Sequence, residues 1–393
     1  MSKNKTILAV ILLLALIPLT ASATITRVIG LGGENANYII KDAYNPNIWP
    51  QLLRVYPNLA GGEFYTGANG WDFQKAYINY DFGEDKCVMQ IALDKEPGRK
   101  YGMAPDDLDL LAAGPYNRLS VAVGRPLGDL LVGVGINYTG KSYKSDAVTG
   151  PPAVPAYDIS YATYGIRLGA SALEKKLDLA LGVEIASFSE DEGGTTTIDN
   201  DGSMSLGFAG RYWYTLNDRY ALIPNVKFSM MKDAAKYPAA ASESNESDTY
   251  TTFGVGIGNN WTPVENMLAI FELGLMSTSD KYESKSGGTS LDNTDSEMDI
   301  YWRLGFESKI FGWLDGRLGA EREWQSVTVE SMLGKPDIGT NWTQTYLGAT
   351  AHWNRLNLDL LVAPAFMQHG PYFLSGVGGQ TFERVSLKYD FNQ

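Results

Sequence analysis

Along most of this chain, hydrophobic and polar residues alternate one by one in segments of about ten. Met298, Ile300, Trp302, Leu304 and Phe306 are apolar, and Asp299, Arg303, Glu307 and Lys309 fall between them. Leu314, Leu318 and Trp324 alternate in the same way with Asp315, Arg317, Glu321 and Glu323, and Arg322 interrupts the apolar set. Met204, Leu206, Phe208, Tyr212 and Tyr214 oppose Ser203, Ser205, Gly207 and Arg211. Tyr220, Leu222, Val226, Phe228 and Met230 oppose Asn225, Lys227 and Ser229. A period of two belongs to an extended strand with unlike faces. It predicts further strands at 76–82, 87–92, 119–123, 130–138, 164–168, 177–185, 253–261, 267–275, 347–353 and 356–366.

The connections keep a second rhythm. Short links at 126–129, 173–176, 216–218, 262–265, 311–312 and 354–355 alternate with long polar stretches at 140–156, 189–202, 232–248, 279–297, 330–341 and 369–380. Transmembrane barrels have short turns at one end and long loops at the other, whereas a soluble sandwich has no reason to keep that beat. Aromatics near strand ends (Tyr138, Trp213, Tyr214, Trp261, Trp313, Trp342, Trp353) are expected to form interfacial girdles. Arg322 is expected near the outer rim, where a charge facing lipid costs least. The pattern predicts an all-β fold, a closed antiparallel transmembrane barrel of about 14–16 strands with short periplasmic turns and long extracellular loops. A strand at 62–66 before that at 76–82 makes the count even.

The chain start sets the compartment. Lys3 and Lys5 precede an unbroken apolar run from Ile7 to Leu16, and Ala21-Ser22-Ala23 supplies small residues for cleavage. This is the plan of a secretory leader, 1–23, exported by the Sec route and cleaved after Ala23. The apolar run is too short for a spanning helix, which needs about 20 residues. The division expected is therefore a leader at 1–23, an N-terminal plug or periplasmic lead-in at 24–60, and the barrel at 61–393. The expected location is the outer membrane of a Gram-negative envelope.

Charge then refines the interior. The net charge is −13, which argues against nucleic acid as a partner. If oily residues face lipid, the other face lines the lumen. Arg167, Glu184, Arg211, Lys227, Glu272, Asp299, Arg303, Glu307, Arg317, Glu321, Glu323, Arg384 and Lys388 are then lumen-lining. Acids and bases nearly balance there, and neighbours such as Arg303 with Glu321, or Glu307 with Arg317, are placed to pair across strands. Leu131, Leu268, Ile270 and Leu361 add apolar positions to the same face, and Gly254, Gly256 and Gly258 mark curvature or close approach. Cys87 is the single cysteine, so no disulfide staples the fold.

The last strand alternates Val385, Leu387, Tyr389 and Phe391 with Arg384, Ser386, Lys388 and Asp390. It resembles the C-terminal signal of outer-membrane proteins, with Tyr389 and Phe391 as the assembly signal, although Asn392 and Gln393 follow the aromatic. That resemblance implies the barrel-assembly machinery as a partner, beside outer-membrane lipid. Residues 24–59 do not alternate, and 48–55 reads as a short helix. The order Arg27, Gly30, Gly32-Gly33, Asp42-Ala43, Asn45-Pro46 and Leu53 resembles the start of the long-chain fatty-acid transporter family, although Pro46 is not followed directly by Ala-Gly-Leu. The resemblance implies a plug inside the barrel and small apolar cargo.

Chemistry leaves little trace. His352 points to the lumen by parity and His369 lies in a loop, with no nucleophile motif or ligand spacing around either. Asp199-Asn200-Asp201-Gly202 lacks the downstream Glu of a calcium loop. Residues 105–113, with Asp106 and Asp107 early, read as a short helix in a loop. No catalytic residue, cofactor or metal site is expected. The leading functional expectation is a porin-like channel for passive transport of small solutes. The alternatives are fatty-acid-transporter-like uptake of hydrophobic compounds through a plugged barrel, and a structural or adhesive surface barrel. A homo-oligomer is left open.

Overall fold

The computed structural model describes residues 24–67, 70–83, 86–96, 116–147, 155–238, 244–286, 289–329, 337–363 and 381–391. The leader, the expected helix at 105–113 and His369 lie outside the described residues. The wall begins with β1 (Leu59–Gly67), β2 (Gly70–Asp81), β3 (Val88–Glu96) and β4 (Tyr116–Leu127). It continues with β5 (Leu130–Ser145), β6 (Tyr157–Ala172), β7 (Leu177–Glu192), β8 (Thr195–Asn200), β9 (Met204–Tyr212) and β10 (Tyr214–Asn217). Next come β11 (Tyr220–Tyr237), β12 (Ser244–Trp261), β13 (Met267–Ser286) and β14 (Thr289–Phe311). The last are β15 (Leu314–Val329), β16 (Asp337–Trp353), β17 (Leu356–Val362) and β18 (Phe382–Asp390).

From β1 to β8 and from β10 to β18 each strand pairs antiparallel with its sequence neighbour, β9 pairs with β7 and β11, and β1 pairs with β18 from Leu59↔Asp390 to Tyr65↔Arg384, which closes the ring. The short segments β8, β9 and β10 share one place between β7 and β11, so the barrel has 16 staves. Closure removes the unpaired edges that an open sheet would expose. Turn chemistry fits the short links. Asn354, at φ +52°, opens the two-residue link between β16 and β17, and Asn tolerates that left-handed geometry.

The two faces are unlike, as alternation requires. On β5, Leu131, Gly133, Gly135, Asn137 and Thr139 are buried, whereas Val134, Ile136 and Tyr138 are exposed. Ile257, Leu273, Met298, Ile300 and Leu318 repeat the exposure around the ring. Soluble monomers rarely expose contiguous apolar patches above a few hundred Å²; here the belt surrounds the molecule. No helix among the described residues is long and apolar enough to cross a membrane.

Strand limits differ from the sequence expectation. β11 runs to Tyr237 and β12 starts at Ser244, inside the stretch expected as a loop at 232–248. β13 and β14 fill nearly all of 279–297. Beyond the belt both faces meet water, so the hydrophobic period disappears while the backbone ladder continues. A crossing strand needs about 9–11 residues; β14 has 23.

Two expected girdle aromatics are also corrected. Trp213 is buried, with its indole N–H donating to Asp178, because it shares the inward parity of Arg211. Trp342 shares the inner face with Glu323, its register partner and hydrogen-bond acceptor. Tyr138, Tyr214, Trp261, Trp313 and Trp353 are exposed. Arg322 lies outward, 4.9 Å from the Trp324 ring, toward the long-loop end of the belt.

Candidate functional site

Residues 24–58 lie inside this ring. They form helix α1 (Ile25–Gly30) and 3-10 turns at Glu34–Tyr38, Asn45–Asn47 and Pro50–Val55, the last standing where a helix at 48–55 was expected. Thr24 caps α1 by accepting from the Arg27 backbone N–H. The segment meets inward residues on strands around the whole circumference. Val28, Leu31, Ile39 and Ile40 pack on Trp213, Ile223 and Ile270. Ile25 and Ile29 pack on Tyr346 and Leu361. Leu53 packs on Val88 and Ala122.

Wall glycines make room for this. A methyl group at Gly133 or Gly169 would run into Gln51, at Gly258 into Ile39, and at Gly305 into the Leu31 carbonyl. Inward glycines, expected to mark curvature or close approach, admit a second layer at these positions.

Buried charge fastens the segment. Arg27 donates to both oxygens of Glu307 at 2.7 Å and to Asp42 at 2.9 Å. Glu307 also accepts from Arg317 at 2.8 Å, and Arg317 reaches Asp359 at 2.5 Å. Asp359 accepts from the Thr24 hydroxyl at 3.0 Å, so the chain of contacts starts and ends in the inner segment. A forked guanidinium suits such bidentate pairing better than an ammonium. Glu63, buried on β1, accepts from the Ile25 backbone N–H at 3.3 Å.

A second node is Arg211. Its guanidinium donates to the Asn37 and Ile40 carbonyls, both at 3.0 Å, and to Asp178 at 2.8 Å. It lies 4.7 Å from the Trp49 ring and 5.0 Å from that of Trp213. Higher on the wall, Arg303 joins Glu272 at 2.9 Å and Glu321 at 3.2 Å. Asn225 adds a bond to Glu272 at 2.9 Å.

The other expected lumen residues also take inward positions. Glu184 accepts from Arg118 at 2.6 Å, and Arg167 donates to the Asn47 carbonyl. Lys227 contacts the Asn35 side chain at 3.4 Å. Arg384 stands opposite Leu361 in register on the inner face, and Lys388 is buried. Asp299 and Glu323 lie together near the long-loop end, with Glu297. Sequence reasoning missed Glu297 because it assigned that residue to a loop, and missed Glu63 because the first strand hardly alternates. His352 bridges Asp315 and Asn357, each at 2.7 Å. Tyr389 and Phe391 are exposed and meet edge to face at 5.1 Å.

Between the segment and β7, β9 and β11 lies a cavity of about 210 Å³. Tyr38, Asn47 and Ile48 form one side and Ala180, Gly182, Gly207 and Ala209 the other, with Arg167 at the margin. Small wall residues leave the space: a methyl added at Gly207 would meet only the Phe228 carbonyl, at 4.0 Å.

A closed 16-stranded antiparallel barrel with an apolar outer belt defines the class: the fold is that of an outer-membrane-type transmembrane β-barrel. No family model matches the chain, and no curated protein matches it. Among solved structures it is similar to CdiB from Escherichia coli, at 10% identity and TM-score 0.44, covering 85% of this chain and 63% of that one. The chain thus spans less than two thirds of that CdiB chain. The Pseudomonas putida toluene transporter TodX is 11% identical, with TM-score 0.40, covering 95% of this chain and 98% of that one. The alcaligin outer-membrane receptor FauA from Bordetella pertussis is 10% identical, with TM-score 0.36, covering 85% and 76%. Likeness at this level carries no inference about function.

Proposed function

We propose that the barrel transports small apolar compounds across the outer membrane, with residues 24–58 acting as a plug that keeps the bore shut to bulk water and ions. The observation that carries this reading is the inner segment itself, fastened by a buried ion pair to β14 and by hydrogen bonds to β1, β9 and β17 on other sides of the wall. A passive porin needs a continuous wet path, and most of the charges expected to line one, Arg211, Glu272, Arg303, Glu307, Arg317 and Glu321 among them, are engaged with the segment or with each other.

The cavity supports the cargo class. A cavity of about 150 Å³ holds benzene, so about 210 Å³ bounded by Ile48, Ala180 and Ala209, with Asn47, Arg167 and Ser229 as polar edges, has room for a single-ring solute. Planar-bilayer recording with liposome uptake tests both parts. The full protein is expected to hold no steady current yet admit a small aromatic solute. Deletion of 24–58 should produce steady conductance, and Gly207→Phe should cut uptake several-fold by filling the cavity. Steady current through the intact protein would favour the passive pore. Absence of current and uptake from both intact and deleted forms would favour a structural or adhesive barrel.

A further inference from the structure

We infer that the long-loop end of the lumen holds a calcium site built from Glu297, Asp299 and Glu323. Glu297 and Asp299 are two apart on β14 and share its inward face, while Glu323 projects from β15 opposite Tyr301, one inward step from Asp299. One carboxylate oxygen from each lies within 4.8 Å of the others.

Acids on a surface often gather without a ligand, so the state of Asp299 decides the matter. Asp299 has no exposed surface, and neither of its oxygens meets a hydrogen-bond donor among the described residues. A buried carboxylate left in that condition is costly, and two further acids beside it raise the cost. The local cations do not relieve it. Arg303 is committed to Glu272 and Glu321. Lys227 reaches the Asn35 side chain and lies over the rings of Tyr38 and Tyr301. Gln325 donates to Glu297 and the Trp342 indole to Glu323, which leaves the Asp299 carboxylate unanswered at the centre.

A hard divalent cation resolves all three charges at once. Calcium takes oxygens at about 2.3–2.6 Å, so two of its ligands are at most about 5 Å apart. Magnesium, with oxygens at about 2.0–2.1 Å, would need them within about 4.2 Å. Oxygens within 4.8 Å of one another fit around calcium, with water completing the shell. Such an ion would tie β14 to β15 above the Arg303–Glu321 pair, at the mouth of the filled bore.

Terbium tests this, because Trp342 is bonded to one ligand and can sensitise its luminescence. Full-length protein purified free of lipopolysaccharide in a zwitterionic detergent is titrated with Tb³⁺ and then with Ca²⁺. Sensitised emission should saturate near one ion per barrel and fall when Ca²⁺ is added. Asp299→Asn and Glu323→Gln should each weaken binding ten-fold or more, while Asp292→Asn on the distal hairpin should not. Calorimetry with Ca²⁺ on Trp342→Phe should retain binding while the emission drops. If Asp299→Asn fails to fold, as judged by electrophoretic mobility before and after heating, Glu297→Gln replaces it. Absent emission with no calorimetric Ca²⁺ binding, emission that Ca²⁺ does not displace, or equal binding by the folded variants would overturn the assignment.

Discussion

Arg27 lies almost wholly out of water between Asp42 and Glu307. Removing one partner of a buried ion pair typically costs about 3–5 kcal/mol, because the survivors keep their desolvation without their counter-charge. Arg27→Ala is therefore expected to release the inner segment, seen as current bursts in bilayers and rapid protease cutting within 24–58. The wall should keep its heat-resistant electrophoretic mobility. Burial already pushes the Asp42 carboxyl up to about 6, against the pull of Arg27. A raised acid binds its proton more readily in the seated state than when released, so seating gains as pH falls through that value. Bursts in Arg27→Ala should thus be rarer at pH 5 than at pH 8. The reverse order would remove Asp42 from the account. Arg27 and Asp42 were visible in the sequence only through a family resemblance, because nothing in local spacing announces a contact between an N-terminal helix and β14. Trp213 departs from the girdle for a simpler reason: it stands at a strand end but shares the inward parity of Arg211.

At the scale of elements, alternation identified the strands well where one face meets lipid and the other the interior. It failed past the belt, where the β13–β14 hairpin continues with polar residues on both sides. A ladder in water has little burial to hold it, so this extension should contribute little to the barrel. Joining Ser279 to Ser296, their register being paired, through a short Asn-Gly turn is expected to leave heat-resistant mobility unchanged. Loss of that mobility would mean that the extension carries part of the wall's stability. The inner segment was legible as a region, since its lack of alternation excluded it from the wall. Its contacts were not, because the glycines that admit it read equally well as bends.

For the whole molecule, the decisive property is which face meets lipid. Trp302 shares an outward face with exposed Ile300, whereas Trp213 is buried against the inner segment. Single-tryptophan variants in bilayers of brominated lipid should separate them. Emission from Trp302 is expected to be quenched strongly and that from Trp213 hardly at all; equal quenching would invert the barrel. The ring of contacts from Asp42 through Arg27, Glu307, Arg317 and Asp359 back to Thr24 also has a kinetic consequence. Half-withdrawn positions strand several charges together, so the helix at Ile25–Gly30 behaves as a latch with a threshold. Tipping such a latch from mostly closed to mostly open takes about 5.5 kcal/mol of preferential binding, more than a few grazing contacts from one small solute supply. The stretch from Tyr38 to Ile48 meets the cavity through apolar, non-directional packing, and yields in smaller steps. Traffic, on this view, slips past a hinge-side cushion while the bolt stays shot.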